Sequence, residues 1–230
     1  MGSVGQSSVL TTARALKSNR ASNTREAILA AAERLFAEHG VYAVSNRQVS
    51  EAAGQGNNAA VGYHFGTKTD LVREIEHRHR VPIERLREQM VANAGDSTEL
   101  RDWVACLVRP LTDHLAELGT PSWYARFAAQ AMADPAYHKI VTRDALSSGS
   151  LVEVVDGITR CLPELPDAVH AERSVMARNL LMHTCAERER AMAERVTVQP
   201  SWRTAGSSLV DALVGLWLAP VTPLVEGGRQ

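Results

Sequence analysis

Side chains that suit contact with nucleic acid are concentrated between residues 45 and 68. The amides of Gln55, Asn57 and Asn58 can both donate and accept hydrogen bonds, as pairing with an adenine edge requires. Ala59 and Ala60 are small enough to approach bases closely, including the methyl group of thymine. Hydroxyl, imidazole and cationic groups, which bind phosphate and so fix the position of a protein on DNA, are supplied by Ser45, Arg47, Tyr63, His64, Thr67 and Lys68.

Three helical segments are expected to position these groups, at about 24–39, 46–53 and 57–64. The first begins with a capping-box pattern at Asn23 and Glu26 and ends at Gly40, which can adopt the left-handed conformation that follows a last helical turn. Ser45 is expected to cap the second segment, and Asn57 or Asn58 the third. Two short helices joined by a glycine-containing turn are typical of the helix-turn-helix motif, whose second helix enters the major groove of DNA.

Three ordered motifs give this part of the chain a more specific interpretation. They are Arg25-x-x-Ile28-Leu29-x-Ala31-Ala32-x-x-Leu35-Phe36-x-x-x-Gly40, then Ser45-x-x-x-Val49-x-x-Ala52-Ala53-Gly54, and finally Tyr63-His64-Phe65-x-x-Lys68-x-x-Leu71. With these anchors, the sequence from Thr24 to Leu71 resembles the DNA-binding domain of the TetR family of transcription regulators. The resemblance implies that Asn57, Asn58 and Ala59 read bases. It implies phosphate contacts for Ser45, Arg47, Tyr63, His64 and Lys68.

The sequence departs from the family pattern at two places. Gln55-Gly56-Asn57-Asn58 makes the turn one residue longer than is usual, so the start of the recognition helix is open by a residue. Gly62 stands where the family often has tyrosine, so the resemblance implies one phosphate contact fewer here. Structural alternatives also stay open for several residues: Tyr63 and Phe65 as core, His64 as a hydrogen-bonded structural residue, Lys68 as a solvated first-turn residue and Asn57 as a cap.

The rest of the chain is also helical by its apolar period, so the sequence predicts an all-α protein. Predicted helices occupy about 68–92, 97–118, 121–133, 135–147, 150–161, 167–194 and 201–218, with a kink at Pro82 and an interruption at Pro110. Residues 1–22 are rich in serine and threonine, carry only positive charges and are expected to form a flexible basic arm. The predicted domains are this arm, a DNA-binding head at 23–70 and a ligand-binding and dimerisation domain at 71–230, the last being implied by the resemblance.

The last two predicted helices carry wide apolar stripes, which favour an interface between two copies of the chain. The candidate contacts are Met176, Leu180, Leu209, Leu213, Leu216 and Trp217. Ordinary core packing within one subunit is the alternative.

A binding site for a largely apolar small molecule is expected among aromatic and methionine side chains, which enclose apolar ligands well. The candidates are Trp103, Leu107, Trp123, Phe127, Met132 and Met182, each of which could instead belong to the core. His183, Cys185 and Glu187 lack a third ligand at a known metal-site spacing, so neither a metal nor another cofactor is predicted. No catalytic motif is present, so an enzyme is not expected.

Composition agrees with a cytoplasmic regulator. Residues 1–80 hold 10 basic against 7 acidic side chains, whereas residues 81–230 hold 15 against 19, which favours an anionic partner at the N-terminal end. Three separated cysteines suggest no disulfide framework, and no apolar run is long enough to cross a membrane. The sequence therefore predicts a homodimeric, ligand-released repressor of a palindromic DNA operator. A helical ligand carrier or enzyme with an inert helix-turn-helix, and a protein–protein adaptor, are the alternatives.

Overall fold

The computed structural model describes residues 5–57, 59–146, 148–196 and 201–222, with side chains in these ranges except at 5–20 and 143–146. This part of the chain contains ten α-helices and no strand, which confirms the all-α prediction. The helices are α1 (Gly5–His39), α2 (Asn46–Ala52), α3 (Ala60–Phe65), α4 (Lys68–Ala94), α5 (Leu100–Leu118), α6 (Tyr124–Ala133), α7 (His138–Leu146), α8 (Gly149–Cys161), α9 (Asp167–Ala193) and α10 (Trp202–Leu218).

Helix α1 begins much earlier than expected. It starts at Gly5 and passes through Asn23 without a break, so the predicted cap at Asn23 and Glu26 is wrong. Because no glycine or proline lies between Gly5 and Gly40, nothing in the sequence ends a helix that has already been nucleated. The segment predicted as an arm is helical from Gly5 onward.

Two helices continue through prolines. Pro110 lies inside α5 and is buried, so the predicted interruption is wrong, and Pro82 lies inside α4. Each proline removes one backbone donor. Packing of the surrounding apolar residues, rather than helix propensity, supplies most of the stability of a helix in a folded protein. A single missing hydrogen bond therefore does not end α5.

The chain forms two compact units, and the first comprises Met1–His79 with Arg126–Thr142. Its core is built from fully buried apolar side chains of α1 to α4, including Ile28, Val49, Val61 and Leu71. Phe36 of α1 stacks on Phe127 of α6, with ring centroids 6.3 Å apart. These contacts hold the two short helices α2 and α3 on a rigid support. The functional domain boundaries at residues 22 and 70 stay a prediction.

Ion pairs join the longer helices of this first unit. His79 Nε2 of α4 lies 3.0 Å from Glu33 Oε2 of α1, and both side chains are buried. Arg25 of α1 pairs with Glu74 of α4, and its guanidinium carbon lies 4.7 Å from the centroid of the Phe65 ring in α3. Arg25 therefore contacts two helices at once and orients the end of α3 against α4.

The second unit comprises Arg80–Ala125 with Arg143–Gln230. Helix α10 packs on α5 and α9, and α5 packs on α8. Gly206 of α10 allows the closest approach to α5: a Cβ atom there would lie 2.8 Å from Thr112 Oγ1. The buried carboxylate of Glu189 accepts a hydrogen bond of 2.8 Å from the hydroxyl of Ser122.

Candidate DNA-binding face and ligand cleft

Helix α2 begins with the cap that the sequence predicts. Ser45 is the N-cap, its Oγ accepts a hydrogen bond from the backbone N–H of Gln48, and Gln48 Oε1 accepts one of 2.8 Å from the backbone N–H of Ser45. This reciprocal capping box satisfies two of the backbone donors that a helix start leaves unpaired. Ser45 is exposed, so its hydroxyl can also face a partner.

Helix α3 begins three residues later than the expected 57–64 segment, at Ala60. Asn57 is exposed in the turn, and its Oδ1 accepts a hydrogen bond of 2.9 Å from the backbone N–H of Ala59. This local turn, typical of asparagine, delays the first helical residue. The Asn57 side-chain N–H₂ group is not used in that bond and remains a donor for a partner.

The other candidate base readers have different surroundings. Gln55 is half-buried, and its side-chain amide donates to the Ala53 carbonyl at 3.0 Å. Asn58 lies outside the described residues. Ala59 is exposed, whereas Ala60 is buried, so Ala60 cannot approach a base in this conformation.

The outer side of α3 carries a glycine, which has no side chain, next to one large aromatic residue. Gly62 and Tyr63 are exposed, and Tyr63 is 85% exposed. Its ring contacts that of His64 edge to face, at a centroid distance of 5.0 Å. Phe65 is buried under Arg25, so the core interpretation holds for Phe65 and not for Tyr63.

Thr67, Lys68 and Asp70 form the start of α4. Thr67 Oγ1 donates to Asp70 Oδ2 at 2.6 Å, and it accepts a bond from the Asp70 backbone N–H. Hydrogen bonds from Thr67 and the nearby Arg73 hold the pKa of Asp70 below its usual range. Thr67 is exposed and thus both caps the helix and remains accessible.

Lys68 has partners within the chain. Its Nζ donates to the Val41 carbonyl at 3.2 Å, which joins α4 to the turn between α1 and α2. Burial lowers the pKa of Lys68, and the negative charge of Asp134 opposes that shift. The helix dipole disfavours a cation at the start of a helix. For Lys68, the Val41 carbonyl and the negative charge of Asp134 partly offset this unfavourable interaction. A phosphate contact of Lys68 would add to these partners within the chain.

Arg47 and Tyr42 are two further exposed residues near α2. Arg47 is exposed, and its Nε donates to Glu51 Oε1 at 2.8 Å, one turn along α2. Tyr42, in the turn that precedes Ser45, is 90% exposed and was not predicted as a site residue from the sequence. The available signal was an aromatic residue two positions after Gly40, where the apolar period of α1 has already ended.

The candidate ligand residues are divided between the two compact units. Trp103, Leu107, Trp123 and Met182 belong to the second unit, whereas Phe127 and Met132 belong to the first and are buried there. Phe127 packs on Phe36 and serves as core. Of these six residues, only Trp103 lines a cleft of about 710 Å³ within the second unit.

The candidate dimer residues also have two kinds of surroundings. Leu209, Leu213 and Trp217 of α10 are buried within their own chain, and Leu216 is half-buried. On α9, Met176 and Leu180 are exposed, and Val175 beside them is exposed as well. Of the six candidates, the exposed ones are therefore on α9.

Cys185 and its neighbours do not form a metal site. Cys185 is buried, whereas His183 and Glu187 are exposed. Burial, with a contribution from Glu189, raises the pKa of the Cys185 thiol to about 12, so it is protonated near neutral pH. Within the described residues, no three His, Cys, Asp or Glu side chains are placed to hold a metal ion. Every described helix is too short or too polar to cross a bilayer.

Comparison with known proteins agrees with this arrangement. The family described as "Bacterial regulatory proteins, tetR family" matches residues 28–75, and "Tetracyclin repressor-like, C-terminal domain" matches residues 105–215. Among curated proteins, none matches the chain.

Solved structures of transcriptional regulators share the fold. The TetR family transcriptional regulator PfmR from Thermus thermophilus is 18% identical, with a TM-score of 0.51 over 84% of this chain and 99% of its own. SmeT, the repressor of the Stenotrophomonas maltophilia multidrug efflux pump SmeDEF, is 22% identical, with a TM-score of 0.51 over 87% of this chain and 98% of its own. The helix-turn-helix at α2 and α3 and the two matched family domains, which together cover more than half of the sequence, show that this chain belongs to the TetR family of DNA-binding transcriptional regulators.

Proposed function

We propose that the protein is a homodimeric repressor that binds a palindromic operator and is released from it by a small molecule. The observation that carries the proposal is the accessibility of Asn57, Ala59 and Tyr63 beside a helix, α3, whose other side is anchored by buried Val61 and Phe65. A short helix with one anchored side and one open side can enter a major groove without rearranging.

The proposed DNA contacts, which extend from the start of α2 to the start of α4, divide into two roles. Base reading is assigned to Asn57 and Ala59, with Gln55 and Asn58 as further candidates. Phosphate contact is assigned to Ser45, Arg47, Tyr63, His64, Thr67 and Lys68. Phosphate contacts set position and affinity on any sequence, while base contacts set preference.

Dimerisation through α9 and α10 is proposed because α9 leaves Val175, Met176 and Leu180 exposed to solvent. A second copy related by a two-fold axis would cover this surface on both chains at once. The two α3 helices would then occupy successive major grooves, roughly 34–36 Å apart, and this geometry requires a palindromic operator.

Release by a ligand requires a difference in affinity between two conformations. A ligand that binds more tightly when the α3 pair no longer matches successive grooves lowers operator affinity by that difference. The cleft beside Trp103 is the candidate site, since its volume of about 710 Å³ lies within the range of small-molecule pockets, about 300–1,000 Å³.

The proposal is tested by fluorescence anisotropy with duplexes that tile the DNA upstream of the protein's own gene. We expect one palindromic duplex to bind with a dissociation constant in the nanomolar range, much more tightly than shuffled duplexes. Its affinity should fall as the salt concentration rises. Transcription from the adjacent promoter should rise when the gene is deleted. Equal binding to all duplexes would contradict operator recognition, and a fall in transcription would contradict repression.

Two variants separate the assigned roles. Lys68→Ala should weaken binding to specific and shuffled duplexes by a similar factor and reduce the salt dependence, because it removes a phosphate contact. Asn57→Ala should instead reduce the difference in binding affinity between the operator and its single-base variants. Lys139→Ala, which removes an exposed lysine of α7, is the matched control and should change neither. The assignment fails if Lys68→Ala and Lys139→Ala behave alike.

A further inference from the structure

The cleft in the second unit has an aromatic wall that is fixed in place. Trp103 of α5 is buried, and its indole N–H donates to the Ser97 carbonyl at 2.9 Å. Against the ring lies Gly157 of α8, where a Cβ atom would approach Trp103 Cδ2 to 2.1 Å. Only glycine permits this contact, so the sequence holds the indole flat against the backbone of α8.

A cation already lies over this ring. The guanidinium carbon of Arg160 is 5.2 Å from the Trp103 centroid, within the distance at which cations are attracted to the face of an aromatic ring. Arg160 is exposed and lines the cleft, so its guanidinium can leave the indole without disturbing the core. The face of the Trp103 ring therefore already contacts one cation, and another cation can take the place of the Arg160 guanidinium.

The remaining charge of the cleft is negative. Four carboxylates line it against the single guanidinium of Arg160, and they are those of Glu88, Asp96, Glu153 and Asp156. Each is exposed, so each contributes a modest, screened attraction.

A further carboxylate lies behind one wall. Ser150, which lines the cleft, donates to Glu84 Oε2 at 2.6 Å. Burial opposes ionisation of Glu84, but hydrogen bonds from Ser148 and Ser150 and the Arg87 guanidinium outweigh it and keep the pKa of Glu84 below its ordinary value. Arg87 balances this charge, so the excess negative charge is that of the exposed rim.

We propose that this cleft binds an organic cation with an aromatic or otherwise apolar body, and that such a cation is the effector. The proposal rests on the proposed function and replaces the largely apolar effector expected from the sequence. Trp103 would contact the cation and its apolar body, while the surrounding carboxylates favour positive charge and repel anions. A bare divalent ion fits less well, because no three carboxylates of the described residues converge.

The test uses two ions of nearly the same shape and opposite charge, tetraphenylphosphonium and tetraphenylborate, titrated into the full-length protein by calorimetry. We expect the phosphonium to bind once per chain and the borate at least tenfold more weakly. Glu153→Gln with Asp156→Asn should weaken phosphonium binding by roughly tenfold, since each of the two charges is worth about a factor of five at about 4 Å in water and salt screening reduces their product. Glu117→Gln with Glu164→Gln removes the same charge from exposed sites outside the cleft and should leave binding unchanged.

Arg160→Ala tests the location independently. The substitution removes a competing cation from an exposed position, so phosphonium should bind several-fold more tightly. Phosphonium should also release the operator duplex. The phosphonium concentration needed for release should rise in the Glu153→Gln, Asp156→Asn variant and fall in Arg160→Ala, in parallel with the change in phosphonium affinity. Equal binding of both ions, no binding, or selective binding without release of DNA would each overturn the proposal.

Failure of the proposed function would be recorded by a different measurement. Operator binding by the wild-type protein is measured with no cation present. A protein that binds its operator but not phosphonium retains the function and loses the cationic effector, whereas a protein that binds no duplex selectively loses the function whatever the calorimetry shows.

Discussion

The buried side of α10 and the outer side of α3 differ in whether contacts within the chain account for their residues. Leu209, Leu213 and Trp217 are buried against neighbouring helices, and Gly206 allows α10 to approach α5 closely. On α3, Tyr63 is directed to solvent, and a Cβ atom added at Gly62 would meet nothing within 4 Å. The residues of α10 meet a requirement of folding, whereas those on the outer side of α3 do not.

This difference gives a physical criterion for binding residues. A glycine inside a helix lowers helix stability by about 1 kcal/mol relative to alanine unless close packing requires it. Gly206 has such a reason in Thr112, but Gly62 has none within the described part of its chain. A partner that approaches α3 closely would supply the missing reason, and operator DNA is that partner in the proposed function.

Leu213→Ala should produce the largest loss of stability. Leu213 is fully buried, so we expect the free energy of unfolding to fall by about 3 kcal/mol, from lost burial and the cavity that remains. Urea denaturation at low protein concentration measures the change in the subunit itself. Leu218→Ala, at an exposed position of the same helix, should change it by less than about 1 kcal/mol. If Leu213→Ala altered only the concentration dependence of unfolding, the dimer role predicted from the sequence would be favoured over the core role.

Gly206→Ala should produce the second-largest loss of stability. The new methyl group would lie 2.8 Å from Thr112 Oγ1 of buried Thr112, and overpacking of this kind costs about 1–3 kcal/mol. In a Thr112→Ala background the nearest remaining atom is Thr112 Cβ, at 3.6 Å, which is an ordinary contact. A double-mutant cycle by urea denaturation should therefore show that Gly206→Ala is less damaging in that background. If the losses of stability of the two single variants simply added, the contact with Thr112 would not be the cause of the loss in Gly206→Ala.

The helices that the sequence predicted well are those with chemical signals at their ends. Ser45 and Gln48 form the capping box of α2, and Gly40 adopts a φ of 83° after α1. These signals act through neighbouring residues, so they can be recognised without knowing the fold. A local signal can also fail, because the capping-box pattern at Asn23 and Glu26 lies inside α1, which begins at Gly5 in the segment where an arm was expected.

What the sequence could not determine is which surface covers an apolar stripe. The period of α10 identified Leu213 and Trp217 as one face, but the face is covered by α5 and α9 of the same chain. The aromatic residues Trp103 and Phe127 likewise gave no sign that they belong to different compact units. Periodicity shows that a face is buried, and only the tertiary arrangement shows by what.

Met176→Ala should affect assembly more than folding. Met176 is half exposed on α9, so truncation should change the free energy of unfolding of the subunit by no more than about 0.5 kcal/mol. At the proposed interface it should weaken dimerisation by about 1 kcal/mol, or roughly fivefold, on each of the two symmetric contacts. Sedimentation equilibrium measures the dissociation constant, with Leu118→Ala, at another exposed apolar position, as the control. An unchanged constant would remove Met176 from the interface.

Gly62→Ala should have the smallest effect on stability, with the opposite sign. The added methyl group has open space and improves helix propensity, so the free energy of unfolding should rise by about 0.5–1 kcal/mol. If DNA approaches the backbone of α3 at this position, the same methyl group should weaken operator binding several-fold, although the protein has become more stable. Gly149→Ala, at another open helical position, provides the control for both urea denaturation and anisotropy and should leave operator affinity unchanged. A gain in stability together with weaker DNA binding cannot arise from damage to the fold, so it would place the reason for Gly62 outside the chain. A gain in stability with unchanged binding would mean that α3 meets DNA elsewhere along its length.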